Sequence, residues 1–535
     1  MGLIKTIKKI LNRTPPHSKN KSSDQKNPLK NRIQENFLMV KETLGNSSDL
    51  VSREIRIGKT KKMKAGILYI DGLTDANAVN NFIMETLMIN MGEIEVGEAF
   101  FSHPNQLQLL KDAVLTVGEI QEVRDFETLY TSMLSGDTAI LLDGYSQGFT
   151  ISLKGGKDRG VAEPTTQTVI RGPRDGFTEN IRTNTALIRR KINNPNLWLE
   201  TKKIGTQTKT NVSIMYIKGI VNDKIVEEVH RRLDRIEIDG ILESGYIEEL
   251  IQDETFSPFP TIFNTERPDV IAAGLLEGRV AILADGTPFV LLVPTLFVSF
   301  FQTAEDYYQR GDIATLIRMI RFLSLFIALL APSLYIAITT FHQEMIPTTL
   351  LVSLAAQREG VPFPAFIEAI IMEVTFEILR EAGIRMPKAV GQSVSIVGAL
   401  VIGTAAVEAG IISAAMVIVV SITAISNFVF PAFNMAISIR ILRFGMMFLA
   451  ASFGFYGITL GLIAMVLHLC SLRSFGVPYM SPFAPFNMTD QKDAIFRVPW
   501  WGMFSRPRLI SQKNIRREQN PPTAKPEPDQ RYNQE

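Results

Sequence analysis

The chain has 535 residues, 46% of them apolar, with 56 Lys+Arg against 54 Asp+Glu and one cysteine. That is too long for one ordinary domain, and a net charge of +2 leaves no basic footprint for nucleic acid. With Cys470 alone, an internal disulfide framework and a disulfide-stapled secreted domain are both excluded.

The apolar residues are unevenly placed. The chain up to about Gly278 has soluble character, whereas 286–472 holds several long uncharged runs. The expected fold is an α/β cytoplasmic region of two similar subdomains followed by an all-α polytopic membrane domain. Residues 1–64 are polar, basic and short of aromatic residues, which predicts a flexible arm. Met1-Gly2 with Thr6 fits a myristoylation pattern. Leu3, Ile4, Ile7, Ile10 and Leu11 with Lys5, Lys8 and Lys9 suit either a basic amphipathic helix on anionic lipid or a solvated tail.

From Ala65 onward strand-like and helix-like runs alternate, and the sequence repeats itself. Ala65-Gly-Ile-Leu-Tyr-Ile-Asp-Gly-Leu73 returns as Val212-Ser-Ile-Met-Tyr-Ile-Lys-Gly-Ile220. Gly136-Asp-Thr-Ala-Ile-Leu-Leu-Asp-Gly144 returns as Gly278-Arg-Val-Ala-Ile-Leu-Ala-Asp-Gly286. In each copy a strand ends at a glycine and a helix follows, over 76–88 and 223–233. Later a helix, over 126–134 or 270–276, leads into a strand that an Asp-Gly turn reverses. The pattern predicts subdomains at 65–158 and 212–300, with 279–293 as two paired strands. Between them, 159–211 reads as an Arg-rich connecting segment. Forked guanidinium groups suit bidentate pairing with carboxylates or phosphates. The segment is therefore either a linker clamped by salt bridges or an element coupling subdomains, subunits or lipid headgroups.

Residues 301–472 are expected to form a helical transmembrane domain of four to six crossings. Four runs are long and uncharged enough: 322–343, 389–407, 409–439 and 444–472. Pro332 kinks the first and Pro431 breaks the third. Residues 363–381 are apolar except for Glu368, Glu373, Glu377, Arg380 and Glu381, and the four-residue steps from Glu373 to Glu381 put three carboxylates on one helical face. Nine Lys/Arg against one Asp in residues 1–32, with Arg310, Arg318 and Arg321 before the first run, place the N-terminal region in the cytoplasm. The tail, 473–535, is expected to be cytoplasmic and disordered from about 511. Both ends inside require an even crossing count. Four crossings leave Arg440 and Arg443 outside, and adding 363–381 makes the total odd.

Glu163-Pro164, Val169-Ile-Arg-Gly-Pro-Arg-Asp-Gly-Phe-Thr-Glu179, Asn184 and Leu187-Ile-Arg-Arg190 resemble the signature of the GerA-type spore germination proteins, A subunit. Tyr69-Ile-Asp-Gly72, Glu305-Asp-Tyr-Tyr308, Arg358-Glu-Gly-Val-Pro-Phe363 and Glu377-Ile-Leu-Arg-Glu-Ala-Gly383 extend the resemblance over about 51–507. It implies a nutrient receptor of the spore inner membrane, with a transporter-like B subunit and a lipoprotein C subunit as partners. It also implies a homo-oligomeric ring, proposed to be a pentamer, that releases ions. Its signature residues would be Glu163, Pro164, Arg171, Gly172, Pro173, Arg174, Phe177, Asn184, Arg189 and Arg190.

Signals for catalysis are poor. Gly155-Gly156-Lys157 lacks the earlier glycine and the Ser/Thr of a phosphate loop, and the five histidines have no metal-ligand spacing. A non-enzymatic protein without cofactor or metal is expected. Ion permeation suits the residues better. Gln392, Ser395, Ala399 and Gly403 form a small or polar stripe that either lines a narrow pore, gated by dewetting at Val394 and Val397, or packs helix on helix. Glu373 and Glu377 either form an acidic ring that attracts cations or sit at the interface, in water or paired with Arg380 and Arg385. The rival functions are a non-conducting signalling scaffold, a secondary transporter and a sporulation-specific paralogue without nutrient sensing.

Overall fold

The computed structural model describes residues 27–57, 63–84, 119–155, 163–164, 166–385, 398 and 401–517. The first 26 residues, with the myristoylation pattern, lie outside the described residues. Two compact units form, one from residues up to 38, 52–69 and 78–153, the other from 39–51, 70–77 and 154–535.

The first sheet is built from β1 (Leu50–Ile57), β2 (Met63–Ile70), β3 (Ile120–Val123), β4 (Thr138–Leu142) and β5 (Gly148–Ile151), in the order β1-β2-β4-β5-β3. Helix α1 (Ile33–Thr43) precedes it and α2 (Phe126–Leu134) leads into β4. Asp125 caps α2 by accepting from the Thr128 amide, satisfying one of the free amides of its first turn. Every residue of β4 and β5 is buried, which explains their continuous apolar runs.

The second sheet uses β6 (Leu197–Ile204), β7 (Thr210–Ile217), β8 (Phe263–Thr265), β9 (Val280–Ala284) and β10 (Val290–Val293) in the same order, β6-β7-β9-β10-β8. Helix α3 (Ile181–Lys191) stands before it, α4 (Asp223–Asp234) and α5 (Ser244–Ile251) follow β7, and α6 (Pro268–Leu276) leads into β9. Ile188, Ile271 and Leu275 of α3 and α6 pack with one face of the sheet, and Val229, Leu233 and Ile247 of α4 and α5 with the other. Strands β9 and β10 pair antiparallel through the Asp285-Gly286 turn.

The repetition reaches individual hydrogen bonds. Asp143 accepts from the Ile33 amide at 3.3 Å and the Gly144 amide donates to the Asn31 carbonyl at 2.7 Å. Asp285 accepts from the Ile181 amide at 3.2 Å and the Gly286 amide donates to the Glu179 carbonyl at 2.8 Å. Asn36 exchanges two bonds with the Lys30 backbone, and Asn184 does the same with Thr178. One module is built twice.

Three expected boundaries change. Residues 33–57, assigned to the arm, form α1 and β1, because Ile33, Phe37, Val40 and Leu44 make a buried stripe that the average composition of 1–64 conceals. The connecting segment 159–211 contains α3 and β6, the first elements of the second module. The tail is folded at least to residue 517: Tyr479 is fully buried, Ser474 binds the Thr261 carbonyl, and Ser511 binds that of Ile220.

The helical part contains α7 (Gly311–Thr340), α8 (Thr348–Arg358), α9 (Ala365–Arg385), α10 (Ala414–Phe428) and α11 (Phe433–Ser471). Helices α7 and α11 are long and apolar enough to cross a membrane, and α10 is a shorter apolar helix. The run 409–439 is divided at 429–432, where Pro431 stands. The run 444–472 is not one straight span. Backbone at Gly454 turns to φ 58 and ψ −139, and a Cβ on Gly461 would lie 2.7 Å from the Met446 sulfur. Fifteen residues of straight helix would separate those two by roughly 22 Å. The segments 433–453 and 455–471 therefore fold back on each other. Asn434 at one end reaches Glu248, and His468 at the other binds Ser257 at 2.8 Å, both in the second α/β module.

Candidate functional site

The second α/β module is joined to α7 by buried charge. Arg318 and Arg321, one turn apart on α7, converge on Asp306. Arg318 donates to its Oδ2 at 2.8 Å, and Arg321 to its Oδ1 and Oδ2 at 2.9 and 2.8 Å. From the tail, Asp493 accepts from Arg318 at 2.8 Å and from the Tyr307 hydroxyl at 2.8 Å. Burial alone would raise the Asp306 carboxyl, but the bond from Arg321 and the charges of Arg318 and Arg321 outweigh it and hold it below its ordinary range. Arg318 and Arg321 were expected to be loop cations that orient the chain. They are buried and paired, so of the three counted arginines only Arg310 is exposed.

Among the helices, Glu373 is fully buried, with Arg443 of α11 at 3.2 Å, and Glu377 meets Arg440 at 2.6 Å. Arg443 and Arg380 also approach Glu377, at 3.5 and 3.7 Å. Of the alternatives of an acidic ring or pairing with Arg380 and Arg385, Arg380 does approach Glu377, and arginines from a second helix join it. Arg385 pairs with Glu381 at 2.6 Å, not with Glu377. The physical reason is that an unpaired carboxylate in an apolar bundle is costly, and packing of the first half of α11 against α9 brings Arg440 and Arg443 within reach. Glu368, also fully buried, accepts from the amide and hydroxyl of Ser413, both at 3.0 Å, and so holds the start of α10. Of the small or polar stripe, Gly403 is exposed, while Gln392, Val394, Ser395, Val397 and Ala399 lie outside the described residues.

The signature residues fall into two groups. Arg189 is buried and grips Asp49 with Nε and Nη2, the latter at 2.9 Å, while Nη1 reaches the Leu197 carbonyl at 3.1 Å. Asn184 and the buried Phe177 fix the entry to α3, and Arg190 donates to the Gly155 carbonyl at 3.0 Å. These residues are structural ties. The other group forms a braced loop. Pro164 is buried, the exposed Glu163 and Arg174 pair at 3.3 Å, and Arg171 is exposed. The Arg267 guanidinium binds the Pro173 carbonyl at 3.0 Å and is itself paired with Asp269. Gly172 lies at φ +141 with the Tyr308 ring 2.7 Å from where a Cβ would stand, so a side chain there is strained and blocked. Sequence reasoning missed Asp306, Asp493, Arg267 and Asp269 as partners. The available signal was a pair of arginines one turn apart at the edge of an uncharged run.

Among the described residues no group of three or more His, Cys, Asp or Glu is arranged to hold a metal. The described residues thus combine a duplicated α/β module with apolar helices, two of them long enough to cross a membrane, and buried ion pairs tie the second module to the first of these helices. The chain belongs to the Bacillus/Clostridium GerA spore germination protein family, whose profile matches residues 38–509. It is 52% identical to "Spore germination protein KA" of Bacillus subtilis (strain 168), over 90% of this chain and 87% of that protein. It is 40% identical to "Spore germination protein GerLA" of Bacillus cereus, over 89% and 95% of the two chains. Among solved structures, the crystal structure of the N-terminal domain of the A subunit of the Bacillus megaterium spore germinant receptor GerK3 is 43% identical, with a TM-score of 0.42, covering 51% of this chain and 98% of that one. This is a family of germination proteins, not of enzymes.

Proposed function

We propose that the chain is the A subunit of a spore germinant receptor in the spore inner membrane, acting with a transporter-like B subunit and a lipoprotein C subunit. In this reading five copies form a ring that conducts cations when nutrient is sensed, with both α/β modules in the cytoplasm. Domain limits shift to modules beginning at α1 and α3, followed by helices and a folded strap.

The observation that carries the reading is the set of ionisable side chains among apolar helices: Glu368, Glu373 and Arg443, which are buried, with the half-buried Glu377 and Arg440 beside them. In hydrocarbon each costs at least ~2.5 kcal/mol unless partnered, so such groups mark ion pathways and switches. At rest Arg440 and Arg443 cover the carboxylates. Nutrient sensing, passed through the Asp306–Arg318 junction, shifts α9 against α11, uncovers Glu373 and Glu377, and lets an acidic ring draw cations towards the stripe of Gln392, Ser395, Ala399 and Gly403. Both ends of the α11 hairpin contact the α/β module, so α11 adds two crossings. Counting α7, α9, α10, two for α11 and the run 389–407 that the sequence leads one to expect as a span, this reading has six crossings, an even number.

The pairing itself favours a second reading, a non-conducting scaffold in which the ion pairs are only structural. Liposomes holding the chain with its partner subunits separate the two. Exchanging the charges, Glu377→Arg with Arg440→Glu, is expected to keep assembly while abolishing nutrient-evoked cation flux. Undiminished flux in the exchanged protein removes Glu377 from the conduction path.

A further inference from the structure

An unpaired arginine of the tail strap is buried at the point where α7 turns apolar. Arg497 is 4% exposed. Its amide accepts a place on α7 by donating to the Thr315 hydroxyl at 3.1 Å. Gly311, the first residue of that helix, leaves room for it. A Cβ there would lie 3.1 Å from the Arg497 carbonyl oxygen, 3.2 Å from Nη1 and 3.4 Å from Cγ of Pro499. The guanidinium makes no ion pair or hydrogen bond among the described residues, and its Nε and Nη2 are buried without a partner. Asp493 and Asp306, whose charges act on it, are both bound to Arg318. Two rings face it instead, Trp500 at 5.4 Å and Tyr307 at 5.9 Å. Rings offset only part of the cost of a desolvated cation. A planar guanidinium so placed suits an anion that offers two oxygens, as a phosphate group does.

The surroundings indicate whose phosphate. From Ile313 to Phe326 every exposed residue of α7 is apolar: Ile313, Leu316, Met319, Ile320, Leu323 and Phe326. Arg318 and Arg321 do not interrupt this face, because both are buried. A helix with that face meets hydrocarbon from its first turn, so Arg497, set against Gly311, stands at the depth of the lipid headgroups. Beside it the strap exposes Phe496, Trp500, Trp501 and Phe504, and aromatic side chains favour that layer. Over 473–517 the strap carries eight Lys/Arg against two Asp, which suits an anionic leaflet. The end of α7 itself offers little to an anion. The Asp312 carboxylate already accepts from the Ile313 amide at 2.8 Å and pairs with Arg310.

We propose that Arg497 binds the phosphate of an anionic phospholipid at the base of α7, with Phe496, Trp500, Trp501 and Phe504 in the headgroup layer around it. The strap is tied to the second α/β module through Ser474 and Ser511, so the lipid contact fixes that module to the membrane surface as well. The proposal rests on α7 crossing a bilayer, and on neither conduction nor the number of copies.

The test takes the full chain in neutral detergent and follows its thermal unfolding midpoint with phosphatidylglycerol, phosphatidylcholine or inorganic phosphate. Phosphatidylglycerol is expected to raise the midpoint and saturate, phosphatidylcholine to raise it much less, and inorganic phosphate to leave it unchanged. Arg497→Gln is expected to need about tenfold more phosphatidylglycerol for the same rise. A rise that this variant keeps in full, or an equal rise with phosphatidylcholine, overturns the proposal. So does a rise that inorganic phosphate reproduces, which would mark a free-anion site. A second measurement needs no change at Arg497. In phosphatidylglycerol vesicles carrying a nitroxide on some headgroups, Trp500 and Trp501 are expected to be quenched while Trp198, in β6, keeps its emission. Trp500→Phe with Trp501→Phe identifies the quenched pair. A chain that floats with the vesicles yet is unquenched overturns the lipid contact and leaves α7 as a span. One that does not float with them overturns the membrane reading as well.

Discussion

Asp306 is where three parts of the chain meet: the α/β module that precedes it, α7, and through Arg318 the tail residue Asp493. Its carboxylate is 1% exposed on the side chain and binds two arginines, so removing its charge takes the carboxylate partner from Arg321 and leaves Arg318 with Asp493 alone. Asp306→Asn is expected to cost about 3–5 kcal/mol, read as a fall in the unfolding midpoint of the solubilised protein. A cost below about 1 kcal/mol would mean that water replaces the carboxylate. The sign with pH follows from its lowered value. The contribution is complete above the ordinary aspartate range, near pH 4, and disappears as pH falls through the folded-state value. The substituted protein should lack that acid-side loss. Arg189 with Asp49 is a tie of the same kind, joining residues 140 positions apart.

At the scale of the element, α11 depends on one backbone conformation. Gly454 combines φ 58 with ψ −139, and a Cβ there would stand 2.8 Å from Cε1 of His342 and 3.1 Å from Cβ of Phe341. Gly454→Ala therefore meets both dihedral strain, of order 1–3 kcal/mol, and a clash at the end of α7. A clear loss of thermal stability is expected. Gly445→Ala, on the same helix with open space around its Cβ, should be neutral or raise stability by about 0.4–1 kcal/mol. If the two behave alike, the chain does not reverse at Gly454. The reversal was invisible in the sequence because a glycine within an uncharged run reads equally as a helix residue, and no Asn, Asp or Pro marks a turn there. The hairpins of the α/β modules were legible for the converse reason: Asp143-Gly144 and Asp285-Gly286 each stand between two apolar strands.

For the whole molecule, the six crossings proposed above would put the tip of α11 and the α7–α8 turn on one side of the membrane and the tail strap on the other. Single cysteines at Met345 and Met488, both largely exposed, in a Cys470→Ser background should label with an impermeant maleimide from opposite sides of a sealed vesicle. Labelling from one side only would return the count to an odd number. Counting positive residues alone failed here because Arg318, Arg321, Arg440 and Arg443 lie inside helices against carboxylates, where they are not the free loop cations on which the rule depends.

The repeated strand–turn–strand patterns, the uncharged runs and the linear signature around Arg171 to Arg190 depend on residues close in sequence. The sequence by itself therefore determined the α/β character, the duplication and the kinship. The partners of the charged residues did not follow from it. Arg318 with Asp493, 175 positions apart, and Glu377 with Arg440, 63 apart, are joined only when the tail and the helices pack. Many cations could compensate a given buried carboxylate, and only tertiary packing selects which one comes within hydrogen-bonding distance.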